Sequence, residues 1–146
     1  MKVYVDSGVL VKLYVREINS AAAAAAVGCH QTVGFNSLQE LEIRNALRAL
    51  EGRACITPAQ RAAAEHYLEV DCIEGRLHRA AVSWTEVFQL ALDLGRSHTA
   101  ETLARSLDIL HVAAALHDRC TELITADLRQ QEFARRCGLR VTFIAA

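Results

Sequence analysis

The chain has 146 residues, 52% of them apolar, a single proline and a formal net charge of −1. That is enough for one domain with its own core, and too little charge for a bulk field that would gather nucleic acid. No apolar run approaches the roughly 20 residues of a transmembrane helix, and no signal or lipidation pattern follows Met1.

The expectation is therefore a single domain over residues 1–146, off the membrane and in the cytoplasm. Cys29, Cys55, Cys72, Cys120 and Cys137 are odd in number and form no C-x-x-C. They read as buried free thiols of a reducing compartment.

In chain order, Lys2–Val5 predicts a short buried strand, ended by Asp6-Ser7-Gly8. Val9–Arg16 has helical apolar spacing, and a second helix runs from an Asn19 or Ser20 cap through the alanines to Gly28. Thr32–Phe35 is a strand, and Asn36-Ser37 caps a long helix reaching about Leu50. Thr57-Pro58 opens a helix that ends before Gly75. Leu77–Val82 is a weaker strand, with Ser83 capping a helix from Trp84 to Gly95. A helical run spans Ala100 to His117. Thr121–Thr125 is a strand, Leu128–Cys137 a helix and Arg140–Ile144 the last strand. This alternation predicts a three-layer α/β/α sandwich with a mainly parallel four- to five-stranded sheet.

In such sheets ligands bind beyond the carboxyl ends of the strands, where Asp6 and Asp127 both fall. The helix Ser37–Glu51 adds two glutamates on different faces. Measured from Leu38 at 100° per residue, Glu42 lies at about 40°, within the apolar face, and Glu40 at about 200°, beside Arg44. Glu40 reads as a surface charge, whereas Glu42 needs a partner. Asp108 sits after a capping Ser106 in a helix apolar almost all round, so it too must be neutralised, by the helix N-terminus or by a cation.

Four carboxylates brought together would repel unless a cation sat among them. Oxygen donors favour Mg2+ or Mn2+ over zinc, and no histidine pattern argues otherwise. Such a cation could activate water and neutralise charge on a phosphoryl group, the equipment of phosphodiester hydrolysis.

The residues also resemble the PIN-domain nucleases, above all the VapC-type toxin ribonucleases of VapBC toxin–antitoxin pairs, over essentially the whole chain. V-Y-V-D-S-G-V-L-V-K-L-Y is similar to the family's first-strand motif and N-S-L-Q-E-L-E-I-R-N-A-L to its glutamate segment. R-S-L-D-I-L-H-V-A-A-A-L resembles the segment of its third acid, and L-I-T-A-D-L-R-Q-Q-E-F-A-R-R-C-G-L-R-V its closing motif.

The resemblance implies a metal-dependent endoribonuclease whose catalytic and metal-binding residues are Asp6, Glu42, Asp108 and Asp127. It further implies an RNA substrate, a cognate antitoxin covering the cleft and a homodimer. Gly8 stands where many relatives have a small polar residue, and Gln130 and Gln131 where some have another acid, which points to a single ion.

Ser7, Asn45 and Thr125 are assigned supporting roles: Ser7 toward a water or phosphate, Asn45 orienting Glu42, and Thr125 as a cap or neighbouring donor. His98 and His111 read as packed histidines. Arg44, Arg48, Arg129, Arg135 and Arg136 are available for phosphate, although no aromatic ladder marks an RNA path. A non-catalytic PIN-like scaffold binding RNA or protein is the alternative. An aspartyl-phosphate phosphotransferase is disfavoured by Gly8, where that chemistry needs a second aspartate.

Overall fold

The computed structural model describes residues 2–145. Among these described residues, five strands and seven helices follow one another as β1 (Val3–Val5), α1 (Ser7–Tyr14), α2 (Ser20–Gly28), β2 (Val33–Phe35), α3 (Ser37–Gly52), α4 (Pro58–Ile73), β3 (Leu77–Arg79), α5 (Trp84–Thr102), α6 (Ser106–His117), β4 (Glu122–Thr125), α7 (Leu128–Arg136) and β5 (Arg140–Phe143). No helix among the described residues is long and apolar enough to cross a membrane.

Every strand pairing is parallel, but the strands form two sheets. One has three strands in the order β1-β4-β5, and the other joins β2 to β3. The expected single four- to five-stranded sheet within a three-layer sandwich is thereby corrected. Strands of three or four residues carry little of the chain, and helices supply most of its packing.

At the end of β1 the Val5 carbonyl accepts a 2.7 Å hydrogen bond from Gln39 Nε2, so a side chain of α3, and not β2, satisfies it. Side chains of the larger sheet alternate as the pleat requires. Val3, Val5 and Ile124 join one apolar cluster with Val9, Leu10, Ile43, Leu47 and Leu68. Tyr4 and Leu123 join the other, with Val87, Val112, Phe133 and Ala134.

Helix boundaries follow the caps. Asn36 and Gln39 exchange side-chain and backbone bonds at the start of α3, and Thr57 and Gln60 do the same at α4, with Pro58 in the first turn. Replacing Thr57 by alanine leaves the Gln60 N–H without its 3.1 Å acceptor. The expected cost is about 1 kcal/mol, seen as a lower urea midpoint at unchanged slope.

Four expectations are corrected. The first helix begins at Ser7, not Val9, because Asp6 caps it. The strand from Leu77 ends at Arg79 rather than Val82. Gly95 does not stop a helix: α5 runs through it to Thr102, and the chain breaks only at Leu103, whose φ is 57°. A Cβ at Gly95 would lie 3.4 Å from Thr99 Oγ1 and 3.6 Å from Ile109 Cδ1, ordinary contact distances, so the position does not demand glycine. The cysteines are all free, but only Cys120 is buried; Cys29 and Cys55 are exposed.

Candidate acidic site

Parallel pairing of β1 with β4, with Val5 opposite Ile124, brings the carboxyl ends of both strands to one edge. Asp6 follows the first strand and Asp127 the second, each as the cap of the next helix. Asp6 Oδ2 accepts the Gly8 N–H at 3.1 Å, and a Cβ at position 8 would come within 3.2 Å of that same oxygen. Glycine therefore fits where a small polar residue was the expected pattern. Asp127 Oδ1 accepts the N–H groups of Arg129 and Gln130 at 2.8 and 3.0 Å. Thr125, fully buried, accepts the Asp127 N–H through its hydroxyl rather than donating to the site.

Two helices bring the other acids to this edge. Glu42 Oε1 accepts from Ser7 Oγ at 2.9 Å and meets Nε2 of His111, which also lies 3.9 Å from Asp6 Oδ1. Asp108 accepts the Arg105 backbone N–H at 3.1 Å, closing the first turn of α6, where Ser106 is the first helical residue and not the cap. The Arg105 side chain then spans two acids, donating from Nε to Asp108 Oδ2 at 3.2 Å and from Nη2 to Asp127 Oδ2 at 3.0 Å. Gln130 Nε2 donates to Asp6 Oδ1 at 3.1 Å. All four acids thus join one network. Asp6, Glu42 and Asp108 act electrostatically on His111, and Asp108, Asp127 and Asp6 on Arg105.

Electrostatics differ from acid to acid. Burial, reinforced by Glu42, pushes Asp6 above the usual carboxylate range, against the pull of His111, Gln130 and the Gly8 N–H. Burial also acts against the charge on Glu42, but donors from His111 and Ser7 outweigh it and hold this acid below its usual range. For His111, burial opposes the cation and the carboxylates overcome it, so its value is raised.

Behind His111 the network continues into the core. Its Nδ1 lies 2.8 Å from the Tyr4 hydroxyl, and that oxygen accepts from Asn36 Nδ2 at 3.0 Å. One hydrogen lies between Nδ1 and the Tyr4 hydroxyl, while Nε2 faces Glu42, so both ring nitrogens have a partner.

Several residue readings change. Asn45 is exposed on α3 and makes no hydrogen bond to Glu42; Ser7 and His111 do what was expected of it. Ser7 is buried against Glu42 rather than open to a phosphate. His98 is a packed histidine, edge-on to Phe133, but His111 belongs to the site. Its position three residues after Asp108, on the same side of α6, was the available signal.

Arg105 and Gln130 also went unrecognised as site residues, each three residues from an acid they serve. Arg44, Arg48 and Arg136 are engaged with glutamates on the surface, including the expected Arg44–Glu40 pair. Arg129 and Arg135 are exposed.

Among the described residues no three carboxylate, imidazole or thiol groups surround one point closely enough to hold a metal ion as they stand. Arg105 and His111 already serve as partners between the acids. The donor chemistry nonetheless fits a hard divalent cation: four carboxylates from four elements, one of them raised above its usual range by burial. Beside them Gln130 Oε1, on the amide that bonds Asp6, is buried with no hydrogen-bond partner. A cation displacing Arg105 would draw on Asp6, Glu42, Asp108 and Asp127.

No family model and no curated protein matches the chain. Among solved structures, it is similar to VapBC2 from Rickettsia felis bound to a DNA fragment from their promoter, at 13% identity over 98% of each chain with a TM-score of 0.66. It is similar also to FitAcB from Neisseria gonorrhoeae, at 14% identity over 95% of each chain with a TM-score of 0.63. The expected membership of the PIN-domain nucleases, and of the VapC-type toxins among them, is corrected: the likeness to these structures, at 13 and 14% identity, is one of fold and not of that family. What the chain shares, at these identities, is the fold found in the VapBC2 and FitAcB structures.

Proposed function

We propose that the protein is an Mg2+- or Mn2+-dependent endoribonuclease that hydrolyses RNA phosphodiester bonds, with Asp6, Glu42, Asp108 and Asp127 as its catalytic and metal-binding residues. The observation that supports this most is that four acids far apart in the chain join one network at the end of β1 and β4. A bound divalent cation supplies activation of a water and neutralisation of charge developing on the phosphoryl oxygens.

The chain's own groups prepare the site. Ser7 and the His111–Tyr4 relay hold Glu42 by one oxygen and leave the other open. Helix caps fix Asp6 and Asp127 through one oxygen each, so the second oxygen can turn to a cation without loosening either helix.

The shared fold supports placing this activity in a toxin–antitoxin pair, with the chain as the cytoplasmic toxin. Its partners would be an antitoxin protein covering the acidic edge and a second copy of the chain.

The test is RNA cleavage by purified protein with and without Mg2+ or Mn2+, beside two variants from the same helix. Glu42→Gln should lose cleavage by about a hundredfold or more, because it removes both the charge and the anchored donor. Glu40→Gln should retain it, since Glu40 pairs with Arg44 and Arg79 on the other side of α3. RNA binding without metal-dependent cleavage in any of the three proteins would assign a non-catalytic scaffold instead.

A further inference from the structure

Arg105 lies on the short link between α5 and α6, its side chain 64% exposed at the rim of the acidic edge. Its guanidinium bridges Asp108 Oδ2 and Asp127 Oδ2, and it cannot be neutralised by losing a proton. The backbone N–H of the same residue bonds Asp108 independently of the side chain, so the guanidinium can leave without uncapping α6. Nearby, the unmatched buried Gln130 Oε1 marks a place where the present hydrogen bonding is incomplete.

We infer that Arg105 is an internal counter-cation of the cleft: it holds Asp108 and Asp127 until a divalent cation takes them, and its freed guanidinium then binds a phosphate of the RNA backbone. This rests on the metal-dependent reading above. A guanidinium and a metal cannot share the same carboxylate lone pairs, so they compete. A planar fork released beside the cation meets phosphate geometry directly. The two halves give effects of opposite sign from one residue, which a merely structural ion pair would not.

The experiment is calorimetric titration of the full chain with Mn2+ alone, for wild type, Arg105→Gln and Arg105→Lys. A second titration in Mn2+ uses a short phosphorothioate RNA oligonucleotide that resists cleavage. Arg105→Gln should bind Mn2+ about three- to tenfold more tightly, a gain in line with losing one exposed ion-pair competitor. It should bind the oligonucleotide more weakly, with a salt slope shallower by about 0.7 for the single lost phosphate contact.

Arg105→Lys keeps the charge but not the two-pronged fork; it should fall between the two proteins in Mn2+ affinity, and it serves if the glutamine variant does not fold. Equal or weaker Mn2+ binding by the variants overturns the counter-cation role. Unchanged oligonucleotide affinity and salt slope overturn the phosphate role. Failure of wild type and variants alike to take up Mn2+ overturns the metal-dependent reading itself, and this inference with it.

Discussion

Asp6→Asn should lower kcat/KM for RNA cleavage by about a thousandfold and, in metal-free buffer, raise the melting temperature. The first effect follows from removing an anionic donor at the point where β1 and β4 end together, since metal-centred charge stabilisation is worth several kcal/mol. The second follows from the shifted carboxyl. Burial raises Asp6 in the folded chain, so its contribution is fully present below the unfolded value near 3.9 and is lost as pH climbs through the folded value. At neutral pH the ionised group is therefore a cost to the metal-free fold.

Asparagine removes that charge and can still accept from the Gly8 N–H or from Gln130. The melting temperature should move up by about 2–4 °C for each kcal/mol recovered, and the gain should shrink as the buffer is taken to acid pH. Mn2+ should raise the melting temperature of the wild type and leave that of Asp6→Asn unmoved. A variant less stable than wild type without metal would show that the Asp6 carboxylate is satisfied by its protein partners alone.

The acids were legible in the sequence because each breaks a local rule. Asp6 and Asp127 end short apolar runs, Glu42 interrupts an apolar helical face, and Asp108 opens a helix apolar almost throughout. Their caps were less so: the sequence points to a helix from Val9 and a cap at Ser106, whereas Asp6 and Arg105 hold the cap positions. The capping and acidic roles coexist because a carboxylate has two oxygens.

What local rules do not contain is the partner across space. His111 has ordinary packed-histidine surroundings until Glu42 and Tyr4 arrive from elements 69 and 107 residues away. Arg105 has the look of a solvated loop arginine until Asp127 is brought beside it. The division into two sheets is of the same kind. β1 and β2 each have a strand pattern, and nothing within either predicts that a glutamine of α3 will take the Val5 carbonyl. Gly95 is ambiguous for a related reason: a glycine inside a helical pattern suggests a stop, and the packing of α5 against its neighbours carries the helix through it to Thr102.

Gln39→Ala should destabilise the fold by about 3 kcal/mol or more, the larger of the stability effects expected here. Gln39 is fully buried and ties three places together: Nε2 donates to the Val5 carbonyl at 2.7 Å, Oε1 accepts the Asn36 N–H at 2.8 Å, and its own N–H reaches Asn36 Oδ1 at 2.9 Å. Truncation strands a buried carbonyl and a buried N–H and opens a cavity where the amide stood, each worth about 1–3 kcal/mol.

Gln39→Leu fills the space but leaves both backbone groups unmatched, so it should rescue only part of the loss. Equilibrium unfolding in urea measures both. The effect should reach the site as well, because Gln39 fixes the start of α3 to the last residue of β1. Glu42 stands one turn further along that helix, and Asp6 is the next residue along the strand's exit. Mn2+ affinity should fall in the folded fraction of Gln39→Ala, with Glu42 and Asp6 themselves intact. Full stability in Gln39→Ala would mean that water replaces the amide at no cost, and that the Val5 carbonyl does not set where α3 begins.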